Sequence, residues 1–194
     1  VKGGFQMSSI LETKPGKVTW ESMKEELVDL SKETLAEMVS MWVKNYWTNQ
    51  SYWMVCVERD FGFESAANLD GEIWQPLAKA RAHRLKKLLG LGDDTQALAT
   101  TLKFTAPQWA PAGFEWEFME ITENRILMQV NKCPMGTYRD SQGLELLPCK
   151  LGSDKLYRAL AQAINPKFEV TCLHAHPDPR IPGVMCKWEF ILAD

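Results

Sequence analysis

The hydrophobic period of this chain first changes after Phe104, and that change limits its fold more than any single motif. Up to Phe104 apolar residues recur at helical spacing. At Phe114 they begin to alternate with polar residues, as strands require. Thr19 precedes an apolar series at Trp20, Met23, Leu27, Leu30, Leu35, Met38, Met41, Trp42 and Tyr46. That series predicts one long amphipathic helix, with Thr19 as N-cap and Glu21 favourable in its first turn. Asn49-Gln50-Ser51 interrupts the pattern, so Ser51 is expected to cap a second helix carrying Tyr52, Trp53, Cys56 and Val57. Phe61-Gly62-Phe63 predicts a break, because glycine is a poor residue for a helix interior. A short helix over 64–69 and another, capped by Asp70 and running to Leu89, are expected next. Pro76 should kink the latter or shift its start, and Gly90 should end it. Lys79, Arg81, Arg84, Lys86 and Lys87 give that helix a basic outer face with exposed His83 beside them, which reads as a solvated surface. Asp93 or Asp94 can cap a further helix through Phe104.

Residues 107–113 hold three helix breakers and read as a connection. Phe114, Trp116 and Phe118 then alternate with Glu115, Glu117 and Met119. The segment 122–125 looks like a turn, and 126–130 returns toward Cys133-Pro134, which makes a β-hairpin. Residues 135–152 look irregular. A helix starting at Ser153-Asp154 buries Leu156, Leu160 and Ile164 and stops at Pro166. Segments 168–176 and 184–192 are the last two strands. Helices first and ββ-α-ββ afterwards predict an α+β fold, a helical layer on an antiparallel sheet, rather than a doubly wound one. The organisation expected is a flexible lead over 1–17, a helical region over 18–106 and an α+β Cys/His-rich region over 107–194, packed as one unit.

The 194 residues are enough for one sizeable core. A net charge of -3 argues against nucleic acid or a membrane surface as partner. No apolar run of about 18 residues predicts a membrane span, and residues 1–6 lack an apolar signal core, so the compartment expected is the cytoplasm. Eight Trp and nine Met suit a wide core or an apolar pocket. Exposed aromatic residues would equally serve a homodimer face. No GxGxxG, P-loop, GxSxG or HExxH motif is present.

Four of the five cysteines and two of the three histidines fall in the last third of the chain: Cys133, Cys149, Cys172, His174, His176 and Cys186. Soft sulfur and borderline nitrogen donors together are what a zinc or iron site needs, although the spacing matches no standard finger. On a regular strand residues 172, 174 and 176 share one face, as do Cys186, Trp188 and Phe190 on the next. A symmetric hairpin around Pro179 would pair Cys172 with Cys186 and bring His174 close. Cys133 and Cys149 could supply further ligands. Unmetallated thiols, a Cys172–Cys186 disulfide, and a Cys149 nucleophile with His176 as base are the alternatives. Cys56 reads as a packed small residue. Glu58 and Asp60, flanking Arg59, read as a surface ion-pair cluster or as groups facing a cavity.

The strings VNKCP, PCK and TCLHAHPDPRIPGVMCKWEF resemble the vinyl-reductase-like small-molecule-binding domain and the aminothiazoline-carboxylate hydrolase-like proteins. WVKNYWTNQSYWMVCVERDFGFESAANLD and AKARAHRLKKLLGLG resemble more specifically an uncharacterised cytosolic-protein family of anaerobic bacteria and archaea. Together the resemblance covers about residues 20–192. It implies a fold like the nitric-oxide-sensor and vesicle-tethering ligand-binding domains, and a metal site in which Cys133, Cys149, Cys172 and Cys186 match by position. In the closer family a His-Asp pair stands before the second helix, where this chain has Asn49-Gln50. An activity that needs the pair is therefore in doubt here.

The function expected is a cytosolic small-molecule-binding protein with a zinc or iron site at the edge of an apolar pocket, its ligands drawn from Cys133, Cys149, Cys172, His174 and Cys186. The first alternative is a hydrolase of a small cyclic C–N or C–S substrate, using a Cys thiolate (Cys149 or Cys172) or a metal-bound water, with His174 or His176 moving the proton. A redox or iron–sulfur protein is a further alternative.

Overall fold

A computed structural model describes residues 17–105 and 110–193. The expected flexible lead, apart from Lys17, and residues 107–109 of the expected connection lie outside the described residues. The chain divides into two compact units, Val1–Trp42 and Val43–Asp194. The fold is α+β, with helices preceding a four-stranded antiparallel sheet.

In the first unit α1 is Trp20–Val28, and α2, Lys32–Phe61, begins there. Thr19 caps α1 as expected: its hydroxyl accepts the Ser22 N–H, and Ser22 Oγ accepts the Thr19 N–H. The single long helix expected from Trp20 is instead broken at residues 29–31. Ser31 explains the break, because its hydroxyl accepts the Thr34 N–H at 3.1 Å and caps a new start.

In the second unit α2 runs unbroken through Asn49-Gln50-Ser51, so Ser51 caps nothing. Polar side chains in mid-helix are tolerated when they face outward or find a partner, and Gln50 finds Asp70. Gly62, at φ 86°, breaks α2 from α3 as expected. The short helix and the Asp70-capped helix are one element, α3, Phe63–Leu89. Pro76 sits inside it and leaves the Glu72 carbonyl without its helical donor. Gly90, in the left-handed region at φ 64°, ends α3. Asp94 caps α4, Thr95–Thr105, by accepting the Ala97 N–H at 2.8 Å.

Strand β1 (Glu115–Ile121) forms the expected hairpin with β2 (Arg125–Lys132). Of the irregular stretch expected over 135–152, only 142–148 lacks a helix. Before it stands α5, Pro134–Ser141, with Pro134 in the first turn where a missing N–H costs nothing. After it α6, Cys149–Ile164, starts one turn earlier than Ser153. Strands β3 (Phe168–Ala175) and β4 (Cys186–Leu192) complete a sheet of order β1-β2-β4-β3.

Helix α6 packs against both α3 and β3. Its buried residues Leu156, Tyr157 and Leu160 share one core with Trp188 and Phe190 of β4, with Ile126 and Met128 of β2 and with Trp74 of α3. Trp188, Tyr157 and Phe190 have no exposed surface. Helices α3 and α6 cross where Gly71 meets Gly152: a Cβ added to Gly71 would lie 3.6 Å from the Gly152 Cα. That crossing sets the position of the residues on either side of it, Asp70 and Cys149.

Candidate functional site: a thiol-walled apolar cavity

A cavity of about 130 Å³ opens beside the crossing. Trp47 of α2, Ala67, Asp70 and Trp74 of α3, and Phe114 ahead of β1 form one side. Met135 and Arg139 of α5, Leu146 and Leu147 before α6, and Leu156 of α6 line it further. Three sulfurs reach it from three different elements: Cys133 at the N-cap of α5, Cys149 at the first position of α6, and Cys186 at the start of β4. Met185 and His176 also border it. The volume is close to that of engineered apolar cavities, roughly 150 Å³, that take up benzene.

The cysteine register differs from the expected hairpin. The observed register centres the hairpin near Arg180 rather than Pro179, so Cys172 faces Trp188, and a bulge between Cys172 and His174 then sets Cys186 opposite Ala175. Cys172 and Cys186 are therefore not cross-strand partners, and both are free thiols. Cys172 and the buried His174 do not line the cavity, whereas Cys133, Cys149, His176 and Cys186 do. Cys56 is exposed on α2, not packed. Among the described residues, no group of three or more His, Cys, Asp or Glu side chains is placed to hold a metal ion. The set expected for zinc or iron is divided between the cavity wall and the strand outside it.

All four C-terminal thiols are held in the neutral form. Burial pushes the Cys149 thiol up to about 12, and charge at Cys133 and Asp70 would push the same way. Burial likewise raises Cys186, Cys133 and Cys172, although Lys150 works against the rise at Cys172. Cys149 sits at a helix N-terminus, a place that favours thiolates, but desolvation wins. No hydrogen bond joins Cys149 to His176 among the described residues. The expected nucleophile and base share the cavity without forming an activated pair.

Lys150 ties this region together. Its backbone N–H donates to the His176 carbonyl at 3.0 Å, and its ammonium bridges both oxygens of Asp178 at 2.8 and 2.9 Å. The start of α6 is thereby fastened to the end of β3, and Cys149 to the neighbourhood of His176.

Several polar groups around the cavity escape a reading of the sequence. Asp70 accepts hydrogen bonds from Gln50 Nε2 and, at 2.9 Å, from Trp74 Nε1. Arg139, only 3 % exposed, donates to both Glu58 oxygens at 2.7 and 3.0 Å and to the Glu145 carbonyl. Glu58 is thus neither cavity-facing nor part of a surface cluster with Arg59, which pairs with Asp60 alone. The Tyr157 hydroxyl and Trp188 Nε1 are buried and, among the described residues, make no hydrogen bond of ordinary geometry, although the Trp188 N–H lies near enough to the Cys186 sulfur to favour its thiolate. Tyr157 is close enough to all four C-terminal cysteines that a thiolate at any of them would raise its phenol further. An i+4 spacing could have pointed to Asp70–Trp74. The Gln50–Asp70 and Glu58–Arg139 links join distant segments and have no local signal.

No described helix is long and apolar enough to cross a membrane. No curated protein and no solved structure matches the chain significantly. A family model matches residues 27–192, which takes in every residue of the cavity. The chain belongs to the family of unknown function DUF6125.

Proposed function

We propose that this protein binds a small molecule, about one ring in size, in the thiol-walled cavity. One observation carries the reading. Apolar side chains from both helices and sheet line a space of about 130 Å³ that Asp70, three cysteines and His176 also border. A mostly apolar cavity with few convergent polar groups is the usual form of a ligand site. Its neutral thiols add a soft, polarizable wall rather than charge.

Thiol-based hydrolysis has weaker support, because Cys149 is held away from its reactive form. A thiolate-bound soft metal is a second reading, and it draws on the unpartnered Tyr157 hydroxyl and Trp188 N–H. Both donors lie beside the thiols and would satisfy themselves on metal-bound sulfur. Zinc or iron there would need Cys133, Cys149 and Cys186 to turn toward one point.

The ligand reading is tested by titrating benzene-sized compounds while following tryptophan fluorescence, since Trp47 and Trp74 line the cavity. Saturable quenching in the wild type, lost when Ala67→Leu fills the space, is the expected result. Quenching unchanged by Ala67→Leu places binding elsewhere and ends the proposal.

A further inference from the structure

The cavity has one acidic side chain, and aromatic rings surround it. Asp70 receives one hydrogen bond on each carboxyl oxygen, from Gln50 and from Trp74. A carboxylate offers about four acceptor positions, so capacity remains for a ligand. Trp47 lies 5.9 Å from the Trp74 ring and 5.0 Å from the Phe114 ring, and all three line the same cavity.

The cations nearby are already engaged. Arg139, on the cavity wall, is held by Glu58 and the Glu145 carbonyl. Arg81 lies over the rings of Tyr46 and Trp74, at 4.9 and 5.4 Å from their centroids, and donates to the Thr105 carbonyl. Both donors that hold Asp70 are neutral, so its charge is oriented but not cancelled. Burial accordingly raises the Asp70 pKa, with the two hydrogen bonds opposing the rise. Trp and Phe faces attract cations electrostatically, most strongly away from water. A half-buried carboxylate in a cavity lined by three aromatic side chains therefore favours a ligand that brings its own positive charge.

We propose that the cavity selects a small organic ammonium, its cationic head paired with Asp70 between Trp47, Trp74 and Phe114 and its apolar body against the thiol wall. The inference rests on the small-molecule reading above and names the ligand class. Gln50 is a positioning residue: it fixes the carboxyl from the neighbouring helix and does not touch the ammonium.

The test uses three probes of one ring size on the full chain at neutral pH: benzylamine, benzyl alcohol and benzoate. Binding is followed by the indole N–H resonances in two-dimensional NMR, where the Trp74 signal reports on the Asp70 hydrogen bond. Benzylamine should bind with roughly millimolar affinity, as expected for a fragment of this size. It should bind at least about ten-fold more tightly than benzyl alcohol, with benzoate weakest, and should move the Trp74 signal. Asp70→Asn should erase the preference for benzylamine while keeping binding of the alcohol. Equal binding of benzylamine and benzyl alcohol by the wild type overturns the ammonium assignment and leaves the small-molecule reading standing. Failure of all three probes removes both. A benzylamine preference that survives in a folded Asp70→Asn chain, or an unmoved Trp74 signal, shows that Asp70 is not the anchor. The wild-type comparison decides the ligand class even if Asp70→Asn fails to fold.

Discussion

Gly71 of α3 and Gly152 of α6 meet backbone to backbone, with 3.6 Å between an added Gly71 Cβ and the Gly152 Cα. At that distance a single methyl group makes ordinary van der Waals contact. Gly71→Ala should therefore be neutral or stabilise by up to about 1 kcal/mol through helix propensity. Gly71→Leu has no such room and should cost about 1–3 kcal/mol. Urea denaturation of both variants checks the contrast. Equal stability in the two would mean that the helices separate easily and that the crossing does not set the cavity.

Arg139 joins α5 to α2 through Glu58, and its side chain is 4 % exposed against 24 % for Glu58. Arg139→Met removes five N–H donors and leaves the Glu58 carboxylate and the Glu145 carbonyl unsatisfied. The expected loss is roughly 2–4 kcal/mol, toward the lower part of the range for broken buried pairs because Glu58 retains some water. Glu58→Gln in the same background should recover part of it. A double-mutant cycle with no coupling would show that the pair does not hold α5 in place.

The thiols predict a loss of stability at high pH. Their folded pKa values lie above those of the unfolded chain, so the unfolded state loses protons first. Stability is unaffected below about pH 8.5, the ordinary cysteine value, and is lost progressively as pH rises from there toward the folded value of about 12 for Cys149. Each such thiol contributes a slope of at most about 1.4 kcal/mol per pH unit over that window. Denaturation midpoints at pH 7.5 and 9.5 should fall in the wild type, and fall less in Cys149→Ala. Parallel behaviour of the two would mean that Cys149 ionises freely in the folded protein.

Metal content separates the two readings of the thiol wall. Elemental mass spectrometry on anaerobically purified wild type and Cys186→Ser should find no stoichiometric zinc or iron if the thiols serve only as a soft wall. Near-stoichiometric metal that disappears in Cys186→Ser would move the thiolate-bound metal to first place. It would also give the unpartnered Tyr157 hydroxyl and Trp188 N–H their acceptors.

Local signals account for what the sequence disclosed. The Phe61-Gly62 break, the Gly90 cap, the Asp94 cap and the β1–β2 hairpin each depend on a few adjacent residues and stand where expected. The Ser31 cap and Pro134 in the first turn of α5 were equally local, yet the apolar series across the first and the loop-like composition around the second masked them. The site was harder to read, because it depends on what helix crossing and register bring together. Cys172 and Cys186 looked like partners only while the turn was centred on Pro179; the strands pair about a later centre that sets Cys172 opposite Trp188, and a bulge then gives Cys186 Ala175 as its partner. Gln50 looked like the end of a helix, because its partner lies twenty residues away on the next one.

Strand β1 ends the sheet, and its two irregularities in register and its row of carboxylates have a consequence outside the cavity. Glu115 pairs with Lys132, Glu117 accepts from Asn131, and Glu120 pairs with Arg125. A foreign strand adding to this edge would have to follow a kinked backbone and strip water from those charges. Aromatic residues can therefore stand on alternate positions of β1 without making the strand a template for aggregation.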